Sequence, residues 1–130
     1  MTGQWAYISY IEDFFYTLLS SKDFGTVYVG SKMPDTLPKN LQKLTLVDIG
    51  NIRDLNGYGT GVVNVFLFSK SDGNGRKNVP VMVKMEDALM KAIKSNRHDH
   101  YIISRGDAYP DYDSKSDMHC NVINVNLTIK

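Results

Sequence analysis

The stretch Gly61–Ser69 (GVVNVFLFS) carries apolar side chains on both of its faces. Alternate side chains of an extended chain point to opposite sides. Val63, Val65 and Leu67 therefore face one way, and Val62, Phe66 and Phe68 the other, with Asn64 among the second set. Such a strand belongs in the middle of a sheet with cover on both faces. Helices are expected to supply one cover. A partner chain is expected to supply the other, because a 130-residue domain with two helices is short of material for both.

Two amphipathic segments provide those helices. Residues 5–20 place Trp5, Ile8, Ile11, Phe15, Leu18 and Leu19 at three- and four-residue steps, and Thr2 could cap the start. Tyr7, Tyr10 and Phe14 fall partly outside that stripe. They read either as a wide core face or as a second face used against a neighbouring subunit. Val81–Ser95 sets Met82, Met85, Leu89, Ala92 and Ile93 inward, with Lys84, Glu86, Asp87, Lys91 and Lys94 outside, and Pro80 suits its first turn.

The remaining elements read as extended chain and loops. Thr26–Ser31 (TVYVGS) is a short strand, and Pro34 and Pro38 flank a loop. Leu41–Ile52 alternates in part and ends near Asn56-Gly57, a hairpin signal. Tyr101–Ser104 reads as a brief strand and Asp107–Asp117 as an acidic loop. Met118–Lys130 alternates Ile123, Val125, Leu127 and Ile129 against Asn124, Asn126, Thr128 and Lys130, a strand with one wet side. Residues 1–130 read as a single α+β domain.

Charge narrows the partners. Fifteen Lys and Arg against 14 Asp and Glu give a net +1. That balance provides no strong field for nucleic acid or a membrane surface. The lone Cys120 cannot form an internal disulfide, which favours a reducing compartment. The N-terminal stretch lacks a basic leader pattern, and no apolar run approaches the length of a membrane span.

Candidate chemistry is sparse. Asp72–Asn78 is a Gly-rich turn between a strand and a helix, where phosphate can be cradled. A Walker signature requires Gly-Lys-Ser/Thr, whereas Gly75 is followed by Arg76, Lys77, Asn78 and Val79. Gly57, Gly59 and Gly61 precede a strand, the reverse of a dinucleotide fingerprint. His98, Asp99 and His100 lie beside a helix end, and His119 and Cys120 are adjacent on a strand, so at most one of the latter pair could join a given metal site. Asp111, Asp113 and Asp117 imitate the start of a calcium loop, but Ser116 and Val122 stand where Gly and Glu are required. Cys120 reads as a buried inert thiol. On these grounds no catalytic residue, cofactor-binding residue or metal ligand is assigned.

The element order itself resembles the tail-completion proteins of long-tailed bacteriophages and prophages, of the tail-terminator or neck type. The resemblance rests on Trp5–Ser20, TVYVGS, the Pro-containing loop around Met33–Pro38, GVVNVFLFS followed by the helix VMVKMEDALMKAI, and the closing NVINVNLTIK. It implies an α+β fold with two helices packed on one face of a mixed or mainly antiparallel sheet of about four to five strands. It further implies a structural subunit and no enzyme. Such a subunit assembles with itself into a ring, typically a hexamer, that caps the tail tube and joins it to the head. The implied partners are the tail tube and the neck or head-completion proteins, with no cofactor, no membrane and no sequence-specific nucleic acid. The implied location is the virion, after assembly in the bacterial host cytoplasm. Apolar positions lacking evident cover nominate Tyr10, Phe14, Val62, Phe66 and Phe68 as the subunit interface. Two alternatives remain: a small α+β ligand- or nucleotide-binding protein, motivated by the Gly-rich turn and the His/Asp cluster in Asn96–Tyr101, and a generic interaction module of non-viral origin.

Overall fold

The computed structural model describes residues 3–30, 34–113 and 117–130. A 3-10 turn over Gly3–Ala6 leads into α1 (Ile8–Leu18), and a second over Lys22–Phe24 leads into β1 (Thr26–Val29). The hairpin β2 (Lys43–Leu55) and β3 (Tyr58–Lys70) follows, then α2 (Val79–Ser95), β4 (Tyr101–Asp113) and β5 (Met118–Ile129). The sheet order is β1-β2-β3-β5-β4. β1 runs parallel to β2, and every other neighbouring pair is antiparallel. The fold is therefore α+β, with two helices and a mixed five-stranded sheet, as the sequence leads one to expect.

Both helices cover one face. β3 sits at the centre of the sheet, and its Val63, Val65 and Leu67 are fully buried. Val65 lies opposite Val47 of β2 and Ile123 of β5, and Val63 lies opposite Ile49 and Val125. Onto this inner face α1 packs Ile11 and Phe15, and α2 packs Met82, Met85, Leu89 and Ile93. Four of the five positions that the three- and four-residue spacing predicts are buried, and the fifth, Ala92, is half-buried. Asn78 caps that helix by accepting from the Val81 amide, and Pro80 occupies the first turn.

The first helix begins later than its pattern suggests. Tyr7 adopts an extended backbone (φ −68°, ψ 133°), which separates the Trp5 turn from α1. The Tyr7 carbonyl still accepts from the amides of Tyr10 and Ile11. Thr2, the expected cap, lies outside the described residues.

Three further expectations need correction. The second face of β3 does not depend wholly on a partner. Parallel pairing of β1 with β2 forces the chain to cross back over the sheet, and the Pro-flanked connection does so on the outer face. There Leu37 and Leu41 pack against a cluster of Leu44, Leu46, Phe68, Met118, Cys120 and Val122. The wet side of β5 is therefore wet only over its later half, since Met118, Cys120 and Val122 are buried outward. The acidic stretch is no loop as far as Asp113: β4 runs from Tyr101 to Asp113 in register with β5, interrupted by a bulge between Arg105 and Ala108. Propensity obscured it, because Gly106, Asp107, Pro110 and three aspartates in all are poor strand formers. Ser114–Ser116 lie outside the described residues.

The hairpin signal is realised as read. Asn56-Gly57 forms the two-residue connection between Leu55 and Tyr58, which pair directly. Gly57 carries φ 90°, the positive value that such a tight turn demands.

Candidate interaction surface

β4 pairs with one neighbour, β5, and among the described residues no strand lies along its other edge. Its first residues belong to the core, since Tyr101 and Ile103 are buried beneath the helical layer. From Ser104 onward the strand is exposed on both faces, except for the half-buried Gly106 and Asp113. Tyr109 and Tyr112 stand about half exposed there, at 50% and 49%. The edge also carries the Arg105–Ala108 bulge, Pro110, Asp107 and Asp111. Bulges, proline and charge are devices that discourage unplanned strand addition. The segment thus offers side chains for contact and guards its backbone.

The outer sheet face divides in two. One half lies under Leu37 and Leu41. The other half is open and rich in side-chain amides: Asn64 pairs with Asn124 across β3 and β5, and Val62 pairs with Asn126. Val62 and Ile102 are the exposed apolar side chains within it, at 41% and 44%.

The five nominated interface residues do not form one patch. Val62, Phe66 and Phe68 alternate along β3 on the outer face, whereas Tyr10 and Phe14 lie on α1, across the sheet. Val62 is exposed, Phe66 is half-buried beside the outer cluster, and Phe68 is 7% exposed within it. Tyr10 is exposed on α1. Phe14 is half-buried against Phe15, His98 and Tyr101.

Those contacts belong to an aromatic cluster that residue-by-residue reading of the sequence missed. Trp5 stacks on His100 at 4.2 Å between centroids, and His98 stacks on Tyr101 at 4.7 Å. The Tyr101 hydroxyl donates to the Trp5 carbonyl at 2.7 Å, across 96 residues of chain. Beside the cluster runs an open cleft of about 430 Å³ between α1 and the α2–β4 turn. The aromatic density of residues 5–16 and of residues 98–101 was the available signal, but only the fold brings the two together.

The Gly-rich turn is occupied by its own side chain. The Asp72 carboxylate accepts from the amides of Asn74 (2.8 Å) and Arg76 (3.0 Å), the groups that would face a phosphate. These two bonds, the Arg76 amide first, hold the Asp72 carboxyl below its usual range. Arg76 also pairs with Asp72 at 3.6 Å. Lys77 donates to Asn121.

His98 and His100 have local partners, whereas His119 Nε2 is buried with no hydrogen-bond partner among the described residues. His98 Nδ1 accepts from the amides of His100 and Tyr101, and His100 Nδ1 lies 3.1 Å from the Lys130 carbonyl. Among the described residues no group of three or more His, Cys, Asp or Glu side chains is arranged to hold a metal ion. Asp111 and Asp113 lie on β4, and Asp117 accepts from the Tyr112 hydroxyl at 2.6 Å. Among the described residues no helix is long and apolar enough to cross a membrane.

Burial, reinforced by Asp111, pushes the Cys120 thiol up to about 12, and burial with Tyr10 nearby pushes the Tyr101 phenol up to about 12. The thiolate is the reactive form. Alkylation of Cys120 by iodoacetamide at pH 8 should therefore be at least roughly a hundredfold slower in the native chain than in urea. Equal rates would mean that the thiol is not enclosed. Both groups favour the neutral form in the fold, so their contribution is complete below about pH 9 and lost as pH rises toward about 12. The thermal midpoint should fall across that window.

No protein-family model matches the chain, and no curated protein matches its sequence.

Proposed function

We propose that this protein is a structural subunit of a phage or prophage tail, of the tail-terminator or completion type. In this reading it assembles into a ring that caps the tail tube and joins it to the head. The observation that carries the reading is the outer half of β4, largely exposed on both faces and, among the described residues, with no strand along its outer edge, where Tyr109 and Tyr112 stand half exposed. Tyrosines are enriched at protein interfaces because they combine apolar area with a polar tip. The open half of the outer face, with Val62 and Ile102 among side-chain amides, provides a second contact area of mixed character. The arrangement of two helices on one face of a mixed sheet agrees with the fold that the resemblance implies.

Light scattering over a concentration series, with and without purified tail tubes, tests the reading. The expected result is growth from a 14.7 kDa monomer to a ring-sized species. Tyr109→Asp should hold the chain at the monomer mass without altering its thermal midpoint, since the side chain is half exposed. A chain that stays monomeric at every concentration, and forms no ring on tail tubes, overturns the proposal.

A further inference from the structure

The turn between α2 and β4 is closed by two side chains, His98 and Asn96. His98 Nδ1 accepts from the His100 amide at 3.0 Å and from the Tyr101 amide at 3.3 Å. Asn96 completes the turn from the other side, donating through its side chain to the Tyr101 carbonyl and accepting from the His98 amide. The turn is the platform on which the Trp5 segment rests: Trp5 stacks on His100, meets His98 edge-on and receives the Tyr101 hydroxyl at its carbonyl. An Nδ1 that accepts two amides carries no proton, so the ring is neutral with its hydrogen on Nε2.

We propose that His98 is a pH-sensitive latch: as the neutral imidazole it holds the α2–β4 turn closed against Trp5, and its protonation releases that turn and widens the aromatic cleft beside α1. Histidine is the side chain whose charge ordinarily changes between pH 5 and 8. Both ring nitrogens of an imidazolium are donors, so no rotamer of the charged ring can accept from either amide. Stacking on Tyr101 and edge contact with Phe14 give the cation some attraction to aromatic faces, but they do not replace the lost acceptor. Among the described residues, the other titratable and charged groups around the ring are Asp13 and Tyr10 on α1, Arg97 and His100 on the turn, and Tyr101 at the head of β4. Arg97 is tied to the Lys94 and Asn96 carbonyls and opposes a second cation nearby. Asp13 lines the same cleft and is the carboxylate toward which a charged His98 would turn.

Trp5 is the chain's only tryptophan and reports directly on this platform. Between pH 7.5 and 5 the emission maximum of the full chain should move to longer wavelength by several nanometres. The His100 and Tyr101 amides should lose hydrogen-exchange protection by tenfold or more, after correction for the intrinsic pH dependence of exchange. His98→Asn keeps an acceptor oxygen near the Nδ1 position and cannot titrate, so it should abolish both changes. His100→Gln separates direct quenching of Trp5 by its stacked neighbour from release of the turn, and should leave the Tyr101 protection change in place. Ring nitrogen shifts of His98 in the unmodified chain give a readout that does not depend on any variant folding. An Nε2-protonated tautomer at pH 7.5 supports the latch, and an Nδ1-protonated tautomer overturns it. Persistence of the red shift and the protection loss in His98→Asn likewise overturns it.

Discussion

Phe15→Ala is expected to destabilise the chain by about 3–5 kcal/mol, roughly a fifth or more of the stability of an ordinary small domain. Phe15 is 0% exposed and lies in the same cluster as Ile11 of the first helix, Leu19 at its C-terminal cap, Phe24 of the following turn and the inner face of the sheet. α1 is an eleven-residue element, too short to persist alone in water. It also lacks a side-chain N-cap bond and an acidic residue in its first turn. Its stability therefore comes from the face it buries, and Phe15 is the largest side chain in that face. Truncation removes the transfer free energy of the ring and leaves a cavity bounded by a rigid sheet, where collapse is limited. Tyr16, the next residue, is 57% exposed and is the internal control: Tyr16→Ala should change stability by no more than about 0.5 kcal/mol. Urea unfolding of the two variants beside the parent chain measures the contrast. A loss below about 1 kcal/mol for Phe15→Ala would mean that α1 does not dock on the sheet through this residue.

Periodicity carried the sequence reading where one face of an element is buried over its whole length. Met82, Met85, Leu89 and Ile93 in α2, and Ile123, Val125, Leu127 and Ile129 in β5, lie as their spacing requires. Composition misled where a strand is exposed. Beyond Arg105, β4 buries little, so its sequence is not constrained to alternate, and Asp107, Pro110 and Asp111 read as loop. Backbone pairing with β5 sets that conformation, and pairing leaves no mark on the pattern of an unburied strand. Leu37 and Leu41 were opaque for a different reason. A loop leucine has no periodicity, and only the parallel return from β1 to β2 brings these two onto the outer cluster that holds Phe68 and Cys120. The aromatic cluster required both ends of the chain at once, since the Trp5 carbonyl and the Tyr101 hydroxyl meet across 96 residues. The residues nominated for an interface were legible as apolar and not as a surface. Alternation puts Val62, Phe66 and Phe68 on one face, but the cover that takes Phe68 to 7% exposure and leaves Val62 at 41% comes from the tertiary fold.

Gly25→Ala should be the most damaging glycine substitution, with a loss on the order of 3 kcal/mol or more. Gly25 has φ 65° and ψ −149°, a region that side chains with a Cβ essentially do not enter. Strain is only part of the effect. A Cβ at this position would stand 2.4 Å from the Lys43 carbonyl oxygen and 2.9 Å from the carbonyl carbon. Both are backbone atoms at the start of β2, so no side-chain rotation can relieve the contact. The crowding sits one residue before Thr26, which pairs with Leu44, and next to the buried bond in which Thr45 Oγ1 donates to the Phe24 carbonyl at 2.8 Å. Relief would require β1 to move away from β2, and a four-residue edge strand has few other bonds to hold it. Release of β1 would also uncover Phe24 and draw away Tyr28, which packs against the outer cluster. Gly73 is the matched comparison, because a Cβ there meets nothing within 4 Å, and Gly73→Ala should lie within about 0.5 kcal/mol of the parent. Urea unfolding gives the magnitude, and amide exchange gives its distribution. Loss of protection at Val27 and Val29, with Val65 and Ile123 still protected, would mean that β1 peels from an otherwise intact sheet. Stability matching Gly73→Ala would mean that the chain does not enter β1 through this backbone geometry.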